Sequence, residues 1–150
     1  MRVVIQRVSR AKVSSTPHGE NCIGAGLLIL LGVEEADNAD DIDWLVGKIS
    51  RLRIFPDADG VMNLSVMESA GEIMVISQFT LHASTKKGNR PSYIRAARPE
   101  TAIPLYELFI EKVKQETGLK VESGWFGAMM QIELVNDGPV TIVIDSKARE

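Results

Sequence analysis

Two hydroxyl side chains and one amide side chain directly follow an apolar run of the sequence. This stretch is the first candidate for a catalytic site. Residues 73–76 are apolar at every position, and Ser77, Gln78 and Thr80 come directly after them. A hydroxyl becomes a nucleophile where a base activates it, whereas hydroxyls at the ends of elements often cap backbone groups. The pattern therefore indicates a site at a strand end, with simple capping as the structural alternative.

The apolar run itself is typical of a strand that is buried on both faces of a sheet. We expect the strand to extend over residues 71–81. Strand alternation then sends Gln78 and Thr80 to one face and Ser77, Phe79 and Leu81 to the other. The sequence thus predicts a rigid strand end that presents polar groups.

A basic segment without acidic residues follows this strand. No Asp or Glu occurs in residues 73–99, although the whole chain has 20 Asp+Glu against 17 Lys+Arg. Lys86, Lys87 and Arg90 lie in this segment, close to the loop formers Gly88 and Pro91. A local positive charge beside a polar strand end indicates an anionic substrate, and a solvated basic loop is the alternative.

The bulk properties are those of one soluble domain over residues 1–150. The chain is 45% hydrophobic and 25% charged, which is sufficient for a substantial core. No apolar run approaches the length of about 18 residues that spans a membrane, and the N-terminus lacks a signal peptide pattern. The single cysteine, Cys22, excludes an internal disulfide. We therefore expect a cytoplasmic protein.

The remaining periodicities predict a mixed α/β fold. Apolar spacings of three and four predict a helix capped by Asp37 or Asn38 and a second helix over residues 101–117, with Pro104 in its first turn. Strands are predicted at 2–8, 11–15, 23–33, 129–135 and 140–144. This order of elements predicts a mixed sheet with both helices on one side.

Two stretches suggest ligand motifs that they do not complete. Gly24 and Gly26 precede an apolar run without the dinucleotide or P-loop pattern, so they predict a bulge or a close strand contact instead. Residues 56–60 contain two aspartates but no Glu at the twelfth position of a calcium loop. We expect neither a metal nor an organic cofactor.

Five short motifs together resemble the D-aminoacyl-tRNA deacylase family. They are Gln-Arg-Val at 6–8, Ser-Gln-Phe-Thr-Leu at 77–81, Lys-Lys-Gly-Asn-Arg-Pro-Ser at 86–92, Gly-Trp-Phe-Gly-Ala-Met-Met at 124–130 and Asn-Asp-Gly-Pro-Val-Thr at 136–141. Each motif alone is a weak signal. Their order and their spread from the first strand to the last make the resemblance specific.

The resemblance implies a homodimer with a three-layer sandwich of mixed β-sheets and two main helices on one side. It implies hydrolysis of the ester that joins a D-amino acid, or mischarged glycine, to the 3′ end of tRNA. Gly138 and Pro139 would form a cis-peptide gate that is steadied by Arg7, enters the partner's site and rejects L side chains. Phe126 and Met130 would line the substrate pocket.

The catalytic residues implied by the resemblance are Ser77, Gln78, Phe79 and Thr80. Backbone N–H groups near Phe79 and Thr80 would bind the oxyanion, and the ribose 2′-hydroxyl of the substrate would help to activate water. Ser77 and Gln78 would hold the strand end and the substrate amine in register.

Other assignments remain open at the level of sequence. Thr80 could be the nucleophile, but the only histidines, His18 and His82, are not obviously placed to activate it. A small esterase that uses Ser77 would lack the Gly-x-Ser-x-Gly elbow. A non-catalytic RNA-binding module would explain Lys86, Lys87 and Arg90 as tRNA contacts, although the aromatic content of 5% offers few stacking platforms.

Overall fold

The structure is a computed structural model that describes residues 1–149. Its two helices are α1 (Ala39–Arg51) and α2 (Pro99–Thr117), and a short 3-10 helix spans Phe79–His82. The strands are β1 (Arg2–Ser15), β2 (Gly19–Ile23), β3 (Gly26–Gly32), β4 (Phe55–Pro56), β5 (Met62–Leu64), β6 (Glu72–Ser77), β7 (Val121–Ser123) and β8 (Gln131–Asp145).

The first and last strands are longer than the sequence predicts. Residues 2–8 and 11–15 form one strand, β1, and the residues between the strands predicted at 129–135 and 140–144 form a bulged turn that stays inside β8. The two strands pair with each other in antiparallel fashion over nearly their whole length, with register shifts on either side of Val8. These irregularities absorb the extra residues without ending the ladder, so the predicted strand breaks were wrong.

The central strand is confirmed, but it is shorter than expected. β6 pairs in parallel with β3 on one side and with β7 on the other, and Ile73, Val75 and Ile76 are fully buried. The ladder ends at Ser77, because the chain turns into the 3-10 helix instead of continuing to Leu81. The predicted alternation of residues 78–81 between two sheet faces was therefore wrong.

Both helices pack on one face of the sheet. Of the two caps that the sequence allows, Asp37 and Asn38, the structure uses Asn38, which forms a capping box with Asp41. The helix α2 begins at Pro99, so Pro104 lies inside it and not in its first turn. Pro99 takes the N1 position, where a missing N–H costs little, whereas Pro104 leaves the Glu100 carbonyl without its intrahelical donor.

Apolar clusters lie on both faces of the sheet. One joins the helices to residues such as Val3, Ile29 and Val75, and the other places Val13 and Ile132 against Ile76 on the opposite face. The second cluster forms because the outer parts of β1 and β8 fold over β3 and β6, which nearly closes the sheet. The mixed α/β fold with both helices on one side is thus confirmed.

The capping box of α1 also ties the end of the chain to this helix. The Asp41 carboxylate accepts a hydrogen bond from the Asn38 N–H and lies 2.7 Å from Lys147 Nζ. Burial acts to raise the pKa of Asp41, but hydrogen bonds from Lys147, Ser146 and Asn38 outweigh it and hold this pKa below its usual 3.8. The charged carboxylate is therefore favoured by folding.

We expect Asp41→Asn to lower the free energy of unfolding by about 1.5 kcal/mol at pH 7, because a buried charge-assisted network is weakened. Since the folded pKa is depressed, this stabilisation is present above pH 3.8 and is lost as pH falls through the folded pKa. Thermal unfolding of both proteins between pH 7 and pH 2.5 measures the difference. Asp40→Asn at the exposed neighbouring position is the control. If both substitutions changed the free energy of unfolding equally at every pH, the expectation would be contradicted.

Candidate active site

A cavity of about 340 Å³ opens where β6 ends, and it is mainly apolar. Four parts of the chain form its walls: the end of β3, the β6 end with the 3-10 helix, the first turns of α2, and the segment that leads into β8. The lining residues that matter most here are Leu31, Ser77, Gln78, Phe79, Ala102, Tyr106, Phe126 and Met130. The structure thus brings five of the sequence-predicted site residues together: Ser77, Gln78, Phe79, Phe126 and Met130.

Polar groups at the cavity mouth lack protein partners. The 3-10 helix bonds Leu81 N–H to the Gln78 carbonyl, and the preceding N–H groups of Phe79 and Thr80 have no acceptor within residues 1–149. The Ser77 hydroxyl likewise has no partner in that range. Ser77 and Thr80 are half-buried and Phe79 is 56% exposed, so these groups are open to water or to a ligand.

The Thr80 hydroxyl is engaged by an amide and not by a base. The Gln78 side-chain amide donates a hydrogen bond to Thr80 Oγ1, which is the only side-chain partner of that hydroxyl in the described part of the chain. An amide nitrogen cannot accept a proton at physiological pH. Gln78 therefore orients Thr80 without activating it.

Neither histidine takes the place of a base for Thr80. His82 is 1% exposed, both of its ring nitrogens lack hydrogen-bond partners among residues 1–149, and its Nδ1 lies 3.9 Å from Glu34 Oε2. His18 is exposed and stacks on Trp125 at a ring-centroid distance of 5.3 Å. The geometry is therefore unlike a Ser–His or Thr–base pair.

A glycine at the end of β3 allows the 3-10 helix to approach the sheet. A Cβ at Gly32 would lie 3.0 Å from Leu81 Cβ and 3.1 Å from the Gln78 carbonyl oxygen. Any side chain here would push the segment outward. Gly32 therefore fixes how closely the polar mouth sits against the end of the parallel ladder.

The opposite wall depends on a second close approach. A Cβ at Gly124 would lie 2.5 Å from Met130 Sδ, and the Trp125 N–H points to the same sulfur at 3.4 Å. The polarisable thioether therefore packs back on its own segment. Phe126 in this segment packs against Tyr106 of α2, with ring centroids 5.8 Å apart.

Arg7 and the Gly138–Pro139 turn form a separate cluster. The Gly138–Pro139 peptide is cis, and Arg7 Nε donates to the Asp137 carbonyl at 3.0 Å and lies 3.2 Å from the Asp137 carboxylate. Arg7 is 8% exposed, so these contacts hold the turn from inside the protein. These contacts join Arg7 to the residue that precedes the Gly138–Pro139 peptide, and its role in a gate stays a prediction.

Within one chain, this turn and the cavity lie at different levels of the sheet. Asn136 pairs with Val8 and Thr141 with Gln6, so the turn is level with residues 72–74 of β6, whereas Ser77 ends that strand. Three to five residues at about 3.3 Å each separate the two levels by about 10–16 Å along the strands. The structure of one subunit does not bring Pro139 to residues 77–80.

The predicted tRNA-binding residues lie on a closed loop beside the cavity. Backbone hydrogen bonds between Ser84 and Ser92 close this loop, and Tyr93 packs edge-on against Phe79 at 5.1 Å. Lys86, Lys87 and Arg90 are exposed and form no ion pair within the described residues. The loop thus offers positive charge next to the cavity mouth.

Sequence analysis missed the contribution of α2 and of β3 to the cavity. The spacing of apolar residues predicts Tyr106 on the inward stripe of the second helix, and Leu31 lies in the strand predicted at 23–33. Tyr106 is buried as this stripe predicts, but periodicity does not reveal that either residue borders a cavity. A hydroxyl on an otherwise apolar stripe was the available signal for Tyr106.

Two further properties concern possible ligands and membranes. Within residues 1–149, no group of three or more His, Cys, Asp or Glu side chains is arranged to hold a metal ion. Neither of the described helices has the length and hydropathy needed to cross a membrane.

The fold and this cavity define a small mixed α/β protein with an apolar cavity at the end of a central strand, and comparison with known families gives the finer assignment. The sequence profile of the family described as D-Tyr-tRNA(Tyr) deacylase matches residues 4–145. The chain therefore belongs to that family, and the resemblance seen in the five motifs is confirmed.

Curated relatives and solved structures agree with this assignment. Proteins named D-aminoacyl-tRNA deacylase from Akkermansia muciniphila and Flavobacterium johnsoniae are 61% and 59% identical over 150 residues, the whole of both chains in each comparison. A structure titled c-Myc DNA Unwinding Element Binding Protein is 39% identical with a TM-score of 0.92, covering 99% of this chain and 100% of the other.

A second structure, titled as a probable eukaryotic D-amino acid tRNA deacylase, has a TM-score of 0.82 at 18% identity. It covers 95% of this chain and 97% of its own. At that identity, the likeness shows the shared fold alone.

Proposed function

We propose that the protein hydrolyses the ester bond of D-aminoacyl-tRNA and of mischarged glycyl-tRNA, and so releases free tRNA and the amino acid. The family assignment supports the reaction class. The observation that carries the proposal for the site is the pair of unpaired N–H groups, on Phe79 and Thr80, at the mouth of the apolar cavity. Such donors suit the negative charge that develops on an ester carbonyl oxygen.

The proposed chemistry requires little of the protein beyond positioning. An aminoacyl ester is an activated substrate, so binding of the oxyanion by the Phe79 and Thr80 N–H groups supplies the main stabilisation. The vicinal 2′-hydroxyl of the terminal ribose would help to activate the attacking water. The unpaired Ser77 hydroxyl and the Gln78 side chain would hold the ester and the amine in register.

Residues Phe126 and Met130 are proposed to form the wall against which the end of the substrate packs. Both lie across the cavity from Ser77, and the cavity is apolar apart from its mouth. An apolar wall excludes water from the face of the ester opposite the donors and strengthens their electrostatic effect. Neither a metal nor a cofactor is needed for this scheme.

A gate formed by Gly138 and Pro139 is proposed to reject L-amino acids. In one subunit this turn lies away from the cavity, so the gate requires the turn of a second copy in a cytoplasmic homodimer of three-layer subunits. Carbonyls of the turn would accept the substrate amine and leave room on Cα for a hydrogen but not for an L side chain. A structure of the assembly with Pro139 far from Ser77 of both subunits would contradict this arrangement.

The basic loop is proposed to bind tRNA phosphates near the acceptor end. Lys86, Lys87 and Arg90 are exposed beside the cavity mouth, on a chain whose net charge is −3. Their positive charge is therefore local, as expected for steering a polyanion to one site. The solved relative with DNA binding in its title raises the second possibility of nucleic-acid binding without catalysis.

Three aminoacyl-tRNAs and one simple ester distinguish a deacylase from a binding module and from a general esterase. We expect the wild-type protein to cleave D-tyrosyl-tRNA and glycyl-tRNA and to leave L-tyrosyl-tRNA intact, because the gate excludes by shape. Release of labelled amino acid from each tRNA, with p-nitrophenyl acetate as a fourth substrate, is the measurement. Binding of all three tRNAs without cleavage would favour a binding module, and cleavage of the nitrophenyl ester alone would favour a general esterase.

The role of Thr80 is tested by Thr80→Ala. We expect kcat to fall only about fivefold, because a positioning hydrogen bond of about 1 kcal/mol is lost. A nucleophile would cost a factor on the order of 10⁴ or more. Steady-state kinetics with D-tyrosyl-tRNA give kcat, and Ser69→Ala removes a hydroxyl remote from the cavity as the control. A trapped aminoacyl ester on Thr80 would refute the backbone-oxyanion mechanism.

The basic loop is tested by the triple variant Lys86→Ala, Lys87→Ala and Arg90→Ala. We expect weaker tRNA binding and a salt dependence of log K that is flatter by up to about 0.9 per lost phosphate contact. The matched control replaces Arg51, Lys112 and Lys114, which removes the same charge from the two helices. Filter binding between 50 and 300 mM salt gives both slopes. Equal slopes for the two triple variants would show that the loop makes no specific phosphate contacts.

A further inference from the structure

One buried hydroxyl joins three elements that form the cavity. Tyr106 is 4% exposed, and its hydroxyl donates a hydrogen bond of 2.9 Å to the Val75 carbonyl of β6. The same carbonyl accepts a hydrogen bond of 3.3 Å from the Gly124 N–H. A carbonyl oxygen has two lone pairs, so both donors can be satisfied at once. The Val75 carbonyl is therefore a junction between α2, β6 and the segment after β7.

Each of the three residues joined by these hydrogen bonds lies in or close to a cavity wall. Val75 lies two residues before Ser77, where the polar mouth begins, and Gly124 lies two residues before Phe126. Tyr106 itself lines the cavity, and its ring packs against Phe126. The two hydrogen bonds thus set the separation between the wall that binds the oxyanion and the wall that packs against the substrate.

The hydroxyl is not required for packing of the helix. Ala102, Phe109 and Val113 make up the rest of the buried stripe of α2 and are apolar, so a phenylalanine ring would fill the same position. Burial raises the pKa of Tyr106 to about 12, against the smaller, opposing effect of the neighbouring Ser123 side chain and Gly124 N–H. The phenol therefore remains a protonated donor throughout the physiological range.

We infer that Tyr106 is a positioning residue for the deacylation reaction, which holds the wall formed by residues 124–130 at a fixed distance from residues 77–80. The inference rests on the proposed function of that cavity. Tyr106 contributes through Val75 and Gly124, and it supplies no proton to the substrate. Its loss should therefore affect the geometry of the reacting ester more than the binding of tRNA, since the proposed tRNA contacts lie on a different loop.

The test is Tyr106→Phe, which keeps the ring and removes the hydroxyl. We expect kcat for D-tyrosyl-tRNA to fall about tenfold, because small displacements of reacting groups reduce rates steeply. KM should stay within about twofold of the wild type, since substrate binding is largely retained. Amide hydrogen exchange of residues 124–130 should become faster, while exchange in α1 stays unchanged.

The matched control is Thr117→Val at the end of α2. Thr117 Oγ1 donates to the Val113 carbonyl at 2.7 Å, far from the cavity lining, so this variant also loses a hydroxyl bond to a main-chain carbonyl. We expect its thermal midpoint to fall about as much as that of Tyr106→Phe, with kcat and KM unchanged. The comparison separates a positioning role from a loss of stability.

Three results would overturn the inference. The first is a kcat of Tyr106→Phe within twofold of the wild type, and the second is an equal fall in kcat for Thr117→Val. The third is failure of Tyr106→Phe to fold, because the hydroxyl would then be a requirement of the fold. A wild-type protein that is inactive on D-tyrosyl-tRNA would instead refute the proposed function. The two failures are therefore distinguished by the wild-type assay alone.

Discussion

Parallel pairing of β3 with β6 is the constraint on which the structure depends. Residues 27–31 pair with residues 73–77, and most of their side chains are completely buried. A parallel pair of this kind has to be covered on both faces. The two helices cover one face, and the folded-over parts of β1 and β8 cover the other. The end of β6 is consequently enclosed on several sides, which is how a strand end becomes the floor of a cavity.

The polar mouth of that cavity arises where the ladder ends. The Gln78 N–H makes the last bond to β3, at the Leu31 carbonyl, and the following N–H groups turn away into the 3-10 helix. Gly32 permits this turn to lie directly against the sheet. The same backbone geometry therefore produces both the apolar core and the polar donors. The β3–β6 pairing ends at Ser77, and Gly32 lets the following segment lie against the sheet. The proposed oxyanion site rests on this arrangement, since pre-oriented dipoles stabilise developing charge.

The cavity residues and the Arg7-supported turn lie in different places within one subunit. The cavity is built from a single chain, whereas the Arg7-supported turn lies at another level of the same sheet. A gate made by this turn can act only across an interface between copies. Under the proposed function, catalysis would depend on assembly, since the proposed oxyanion donors and the proposed gate would come from different copies.

The sequence by itself determined the buried strand, both helices, a helix cap at Asp37 or Asn38 and the family, because these depend on local periodicity, capping chemistry and short motifs. Only the tertiary structure decided that β1 and β8 are continuous, that the strand ends at Ser77, and that Pro104 lies inside α2. Those outcomes depend on pairing partners distant in sequence. The same holds for Tyr106: its spacing predicts burial, but only the fold brings its hydroxyl to the Val75 carbonyl, 31 residues away.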